Sequence, residues 1–306
     1  MAGPSERRVV LVTGKGGVGK TTIATAFALA EARAGKRVLL CETSGAARIP
    51  ASFGKPSRGY DPTQVATNLW TLSITPTEAI QEYVLLQVHF LRLYKLVFQN
   101  RVMAPFVDAV PGLHDLVQLG KVWFAERETE NGRPRWDLIV VDAPATGHGL
   151  TMLSAPRAMM ELTRAGPFYD NAKRIAELVE DPRRTSLLLV STAEEMPLRE
   201  TEQLVERLGS LRALIAGVVL NEVHPAPLPD PSAWPADRAR LREVGGDALA
   251  ATSIVDGELC AVARQALARD RLGAVGVPMA ELPFLYRRNL GRAELEGFAE
   301  RLGVLT

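Results

Sequence analysis

The stretch of sequence that decides the fold is VVLVTGKGGVGKT, which runs from Val9 to Thr21. Its first four residues are valine or leucine, a composition typical of a buried strand. Residues Gly14–Thr21 then match the pattern G-x-x-x-x-G-K-[ST], and an alanine-rich segment of helical period follows. Glycines let backbone amide groups turn towards phosphate oxygens, because no Cβ atom blocks the approach. The stretch therefore predicts a phosphate-binding loop between a strand and a helix N-terminus.

The side chains of this phosphate loop have distinct expected roles. Lys20 is expected to reach the β- and γ-phosphates of a nucleotide, and the Thr21 hydroxyl to complete the coordination of Mg²⁺. A bound nucleotide with Mg²⁺ is therefore predicted. The candidate nucleotide-binding residues of the loop are Gly14, Lys15, Gly16, Gly17, Val18, Gly19, Lys20, Thr21 and Thr22.

A second motif is the apolar run WDLIVVD, which ends in the carboxylate of Asp142. An acid at the carboxyl end of a strand beside the phosphate loop is in position to hold Mg²⁺, usually through water. Asp142 is therefore predicted to act in catalysis and, together with Thr21, in metal binding.

Short β-branched runs alternate with longer segments of helical period along the rest of the chain. This alternation predicts an α/β fold, with a mostly parallel sheet of about seven strands and helices on both faces. The predicted strands are Val9–Val12, Val38–Leu40, Leu69–Ile74, Leu138–Val141, Leu187–Val190, Ile215–Leu220 and Val277–Leu282. The predicted helices are Thr21–Ala34, Glu194–Leu208, Arg238–Arg271 with a break at Gly245-Gly246, and Gly291–Leu302.

Two longer helical blocks depart from this alternation. We expect one domain over residues 1–306, with helical insertions at about 76–127 and 150–184 that form one small layer above the sheet. Within the first block, Tyr83–Phe98 has twelve apolar residues out of sixteen, which is more apolar surface than an ordinary amphipathic helix buries. The five prolines of His224–Pro235 predict an extended loop.

Composition excludes several classes of protein and of site. The 36 basic and 35 acidic residues leave a net charge of +1, so no nucleic-acid partner is expected. Cys41 and Cys260 are the only cysteines and form no CxxC pair, so no zinc is expected, and their sparse use fits a reducing compartment. The apolar run Val9–Val12 is shorter than the apolar core of a signal peptide. We therefore expect a cytoplasmic protein.

Lys15 gives the phosphate loop a second lysine. The sequence GKGGVGKTT resembles the deviant P-loop signature of the family that contains MinD, the nitrogenase iron protein and the ArsA ATPases. In that family this lysine reaches the phosphates of the other subunit. The resemblance therefore implies a dimer in which Lys15 acts catalytically across the interface.

The sequence DAPATGH, which begins at Asp142, is similar to the second switch of the ArsA and guided-entry tail-anchored-protein targeting family. Val190–Thr201, Val218–Asn221 and Pro283–Leu285 resemble three further segments of that family. The resemblance implies a P-loop ATPase with ATP and Mg²⁺ as cofactors, in which Asn221, Pro283 and Phe284 contact the adenine ring. It also implies a homodimer, or a heterodimer with a related ATPase. The helical layer would engage a protein partner, either a hydrophobic client or a membrane protein, with Met103, Met152, Met159 and Met160 as adaptable lining.

The first switch departs from the family pattern DPAH, whose aspartate orients the attacking water. Here the sequence reads CETSG, so Ser44 stands where the family has that aspartate. Glu42 lies two residues earlier and on the same side of an extended strand, so we predict that it acts in catalysis. The alternative is that Glu42 only ends the strand, and that the chain is a weakly or non-hydrolysing nucleotide-binding subunit paired with an active relative. A MinD/ParA-type positioning ATPase is a further alternative, which the balanced charge disfavours.

Overall fold

The computed structural model describes residues 3–45, 47–87, 112–287 and 290–305. The strands of its main sheet are, in chain order, β1 (Val9–Gly14), β2 (Val38–Glu42), β3 (Thr63–Ala66), β4 (Leu69–Ser73), β7 (Leu138–Ala145), β8 (Thr185–Ser191), β9 (Ile215–Val223) and β10 (Met279–Pro283). A separate two-stranded hairpin consists of β5 (Thr129–Glu130) and β6 (Arg133–Pro134).

The helices connect these strands. They are α1 (Lys20–Arg33), α2 (Ile49–Ser52), α3 (Pro76–Gln87), α4 (Leu113–Arg127), α5 (Thr146–Thr163), α6 (Pro167–Val179), α7 (Glu195–Arg207), α8 (Trp234–Val244), α9 (Asp247–Gly273) and α10 (Arg292–Leu302). Short 3₁₀ turns lie at Pro4–Glu6, Gly209–Leu214, Pro231–Ala233 and Gly303–Leu305.

The main sheet has the strand order β10-β9-β8-β1-β7-β2-β4-β3. All neighbouring strands are parallel except β3 and β4, so the predicted α/β fold with a mostly parallel sheet is confirmed. The seven predicted strands are present, and the eighth, β3, is an antiparallel edge strand that the periodicity does not reveal. It pairs with β4 through a tight turn in which Asn68 has a φ of 58°. Strand β1, which leads into the phosphate loop, lies between β7 and β8.

Side chains of successive strand residues point to opposite faces and form two apolar cores. On one face, Val10 and Val12 pack with α1 and α10. On the other, Val9 and Leu11 pack with residues of α3 to α7 and α9. The helices of the predicted insertions, α3 to α6, therefore lie on one face of the sheet, and Met152 and Met159 are buried in that core. The predicted apolar helix beyond Gln87, and Met103, lie outside the described residues.

The predicted break at Gly245-Gly246 is confirmed, since both glycines have positive φ and separate α8 from α9. The prediction of an extended loop over His224–Pro235 is wrong for the last five of these residues. Pro231–Ala233 is a 3₁₀ turn and α8 begins at Trp234. Prolines are compatible with the first turn of a helix, because its first N–H groups have no helical partner. Among the described residues, no helix is long and apolar enough to cross a membrane.

Candidate functional site

The phosphate loop turns from β1 into α1 at the carboxyl edge of the sheet. Gly17 and Gly19 have φ values of 91° and 89°, which favour glycine. A Cβ atom at Gly14 would lie 2.1 Å from the carbonyl oxygen of Val190, and one at Gly19 would lie 2.5 Å from Asn221 Nδ2. Three glycines of the motif are therefore required by backbone conformation or by close packing, independently of any ligand.

The two lysines of the loop have different partners. Lys20 Nζ donates to the backbone carbonyl of Lys15 at 2.9 Å, so its side chain folds back over the loop. Burial lowers the pKa of Lys20, and the nearby carboxylates of Asp142 and Glu200 oppose that shift. Lys15 Nζ forms an ion pair with Glu200 Oε1 on α7 at 3.1 Å. The site thus holds a partly desolvated ammonium group together with a second lysine paired within its own chain.

Asp142 and Thr21 lie together as the sequence predicts. Thr21 Oγ1 donates to Asp142 Oδ2 at 2.6 Å, although the two residues are 121 positions apart in the chain. Asp142 is 5% exposed, and its Oδ1 atom is buried without a hydrogen-bond partner among the described residues. Burial raises the pKa of Asp142 to about 6, against the lowering effects of the Thr21 hydrogen bond and the Lys20 charge, and Glu42 raises it slightly further.

This pair of residues fits Mg²⁺. Mg²⁺ binds oxygen ligands and usually takes only one or two from protein carboxylates, the others coming from water and substrate phosphates. The Thr21 hydroxyl and the Oδ1 atom of Asp142, which no other described residue bonds, supply oxygens of this kind. No group of three or more His, Cys, Asp or Glu side chains in the described part of the chain could hold a metal ion by itself. A magnesium ion here would therefore depend on a bound nucleotide for its remaining ligands.

Glu42 ends β2 and is the register neighbour of Asp142 on β7. It is buried, and Ser44 Oγ donates to its Oε1 atom at 2.8 Å. The backbone N–H of Arg48 donates to Oε2 at 3.0 Å. Both carboxylate oxygens of Glu42 are therefore bonded by the loop that follows it. The structure brings Glu42 next to the metal-binding carboxylate, but its catalytic role stays a prediction.

The three residues predicted to contact adenine lie on or directly after β9 and β10. Asn221 Nδ2 donates to the carbonyl of Val18 at 2.9 Å, so this side chain supports the phosphate loop, independently of any contact with adenine. Pro283 is the register neighbour of Val223 on β9. The backbone N–H of Phe284 donates to the Val223 carbonyl. Adenine contact by Asn221, Pro283 and Phe284 stays a prediction.

Sequence reasoning did not find the aromatic neighbours of Phe284. The ring of Phe284 stacks on His224, with centroids 4.4 Å apart and planes 8° apart, and Tyr286 packs edge-on against both rings. His224 Nδ1 also lies 2.8 Å from Glu258 Oε2 on α9. His224 stands at the start of the proline-rich loop, where no motif marks it, so only the folded chain reveals this cluster.

Comparison with known proteins places this site in a family. The family model described as anion-transporting ATPase matches residues 7–166 and 158–241. ATPase BagA of Mycobacterium tuberculosis is 33% identical over 253 residues, which cover 79% of this chain and 71% of BagA. ATPase GET3 of Kluyveromyces lactis is 26% identical over 255 residues, covering 72% of this chain and 73% of GET3. The arsenical pump-driving ATPase of Escherichia coli is 27% identical over 244 residues, covering 70% of this chain but 39% of that longer protein. A glycine-rich loop with two lysines, a buried carboxylate bonded to the loop threonine and a match over most of its length thus identify this chain as a member of the ArsA family of anion-transporting ATPases.

Proposed function

We propose that this chain is a Mg²⁺-dependent ATPase that acts as a nucleotide-switched dimer. The observation that carries the proposal is the Thr21–Asp142 pair beside Lys20, with one buried carboxylate oxygen that has no hydrogen-bond partner in the described part of the chain. A buried carboxylate oxygen without a hydrogen-bond partner is costly, and a nucleotide-bound cation would supply the missing contact. Mg²⁺, when bound, would neutralise charge on the phosphates.

Some residues of the chain would bind the nucleotide and the cation, and Glu42 would orient the attacking water. Backbone amides of Gly14–Gly19 would bind phosphate oxygens, and the Lys20 ammonium group would bind the β- and γ-phosphates. Thr21 and Asp142 would hold the cation. Glu42 would orient the attacking water and accept its proton, using lone pairs that its hydrogen bonds from Ser44 and Arg48 leave free.

We propose that the dimer brings Lys15 to the nucleotide of the other subunit. Lys15 lies at the edge of the site, half-buried, and its ion pair with Glu200 is within reach of solvent. A partly exposed ion pair contributes little stability, so a phosphate group of a second subunit could compete for the lysine. The partner would be a second copy of this chain or a related ATPase.

The helical layer, α3 to α6, is the proposed surface for a hydrophobic client or membrane-protein partner. An apolar cavity of about 260 Å³ lies within it, lined by residues of α3, α4 and α6 such as Leu116, Phe124 and Phe168. Phe124 and Phe168 are partly exposed, as a surface that binds apolar partners requires. Two free cysteines support the cytoplasm as the proposed compartment.

We do not propose the arsenical function named for the E. coli relative. As(III) binds several converging thiolates. Here Cys41 is buried in β2 and Cys260 is exposed on α9, and the chain has no other cysteine.

A second candidate function is a nucleotide-binding subunit that hydrolyses slowly beside an active relative. The observation that favours it is the engagement of both Glu42 oxygens by Ser44 and Arg48. These bonds fix the Glu42 carboxylate on its own loop, which is what a structural role at the end of the strand requires.

Calorimetric titration with Mg-ATP tests the proposed site. Lys20→Ala should weaken ATP binding on the order of 30-fold or more, because it removes a charged partner from a partly desolvated site. Lys55→Ala, in an exposed loop outside the site, is the matched control and should bind like wild type. Equal affinity in wild type and Lys20→Ala would contradict the site assignment.

A further inference from the structure

Gln118 is a buried amide in the helical layer that no motif of the sequence singles out. It lies on α4 and is 4% exposed. Its Nε2 atom donates to the carbonyl of Thr43 at 2.8 Å and to that of Ile74 at 2.9 Å. Thr43 directly follows β2 and Ile74 directly follows β4, so one side chain from the helical layer bonds the ends of two adjacent strands.

Thr43 continues this connection into the candidate nucleotide site. Its hydroxyl donates to the backbone carbonyl of Asp142 at 2.7 Å. The hydrogen bonds from Gln118 to Thr43 and from Thr43 to Asp142 are both buried. Buried carbonyl groups that lose a partner carry a desolvation penalty, so the described arrangement holds α4, the first-switch loop and the Asp142 strand in one relative position.

Helix α4 faces the apolar cavity of the helical layer with other residues. Leu116, Val117 and Lys121 line that cavity, and Lys121 Nζ forms an ion pair with Glu82 of α3 at 2.7 Å. A rigid helix thus contacts the cavity through some side chains and the first-switch loop through Gln118. A displacement of α4 along its axis would stretch the hydrogen bonds of Gln118.

We infer that Gln118 is a positioning residue that sets the first-switch loop relative to Asp142 and couples the helical layer to the nucleotide site. The inference rests on the proposed function, since it assumes that nucleotide binds beside Asp142. Gln118 does not touch the site itself. It acts through Thr43, whose neighbours in sequence are Glu42 and Ser44.

Single-turnover hydrolysis of Mg-ATP is the first test. Gln118→Met keeps the length of the side chain and removes both hydrogen bonds, and Thr43→Val keeps its shape and removes the bond to Asp142. Each should lower the hydrolysis rate on the order of 10- to 100-fold while ATP affinity changes by less than about 3-fold. Thr185→Val is the matched control, because the buried Thr185 hydroxyl donates to the Leu178 carbonyl at 2.8 Å and Thr185 begins β8, at the end of the strand away from the nucleotide site. It should hydrolyse ATP like wild type.

Hydrogen exchange of the α4 amides is the second test. It measures the response of α4 to Mg-ATP, which a loss of packing alone would not abolish. Mg-ATP should change the exchange of Leu113–Arg127 in wild type and in Thr185→Val, and this response should disappear in Gln118→Met. Two results would overturn the inference and leave the proposed function standing. One is that Gln118→Met hydrolyses ATP as fast as wild type. The other is that the wild-type protein binds ATP without any change in the hydrogen exchange of α4. Wild type that binds no ATP would overturn both. If Gln118→Met does not fold, Thr43→Val decides in its place, since an unchanged rate in that variant also overturns the inference.

Discussion

Asp142→Asn tests the electrostatics of the site, because it removes a buried charge and keeps the shape of the side chain. The pKa of Asp142 is raised from an ordinary 3.8 to about 6, chiefly by burial. At pH 7.5 this difference corresponds to about 3 kcal/mol of lost stability, at 1.36 kcal/mol for each pKa unit. The ionised carboxylate therefore destabilises the folded protein in the absence of a cation.

The sign of the pH dependence follows from proton binding. Between about pH 4 and pH 6 the folded chain holds the Asp142 proton more tightly than the unfolded chain does, so stability falls as pH rises through this range. Above about pH 7 the carboxylate is ionised in both states, and the penalty stays constant. At pH 4 it has fallen to roughly 0.5 kcal/mol, because the folded group is then protonated.

The asparagine variant also carries a cost of its own. Its Nδ2 atom would take the place of Oδ1, which has no partner among the described residues, and would bury a donor without an acceptor there, which costs about 1–3 kcal/mol at any pH. The free energy of unfolding of Asp142→Asn relative to wild type should therefore rise by about 2–3 kcal/mol between pH 4 and pH 7.5, whatever its absolute value.

Urea unfolding at several pH values, without nucleotide or Mg²⁺, measures this difference. Asp270→Asn on the exposed side of α9 is the matched control and should show no comparable pH-dependent difference. A constant difference between Asp142→Asn and wild type across this pH range would refute the reasoning, because it would show that burial does not penalise the Asp142 charge.

Two further predictions concern hydrolysis. Glu42→Gln should lower single-turnover hydrolysis on the order of 10²- to 10⁴-fold while ATP binding stays intact, because an amide cannot accept the proton of water; an unchanged rate would place the base elsewhere. Lys15→Ala should bind ATP like wild type but turn over more slowly at concentrations where the protein dimerises, since its proposed target is the nucleotide of the other subunit. Loss of ATP binding by the Lys15→Ala monomer would show instead that Lys15 acts within its own chain.

Sequence alone predicted the parts of the site that local motifs define. The phosphate loop is continuous in sequence, and its glycines are fixed by short-range geometry. Asp142 was predictable because parallel strands bring their carboxyl ends to one edge of the sheet, and β1 and β7 are direct neighbours. The pairing of Glu42 with Asp142 was not predicted, because it depends on β2 lying next to β7, and the motifs do not specify that strand order.

The remaining contacts depend on how distant elements pack, which periodicity does not specify. Gln118 bonds Thr43 across 75 positions of sequence, and Phe284 stacks on His224 from a different strand end. Strand β3 is short and lies at the edge of the sheet, so its residues lack the apolar run that marks a central strand. The last part of the proline-rich loop was predicted to be extended because it has many prolines. The structure has the start of α8 there instead, since prolines fit the first turn of a helix.

The neighbours of Ser44 give a physical reason why a serine can stand where the family pattern DPAH has an aspartate. Asp142 and Glu42 already place two carboxylates side by side, and Glu42 contributes to the raised pKa of Asp142. A carboxylate at position 44 would place a third negative charge close to these two, since Ser44 Oγ lies 2.8 Å from Glu42 Oε1. Ser44 instead donates a hydrogen bond to Glu42, and so does the backbone of Arg48. Ser44 therefore stabilises the carboxylate of Glu42, two residues earlier in the chain. We interpret Glu42 and Ser44 as one coupled departure from the family pattern DPAH.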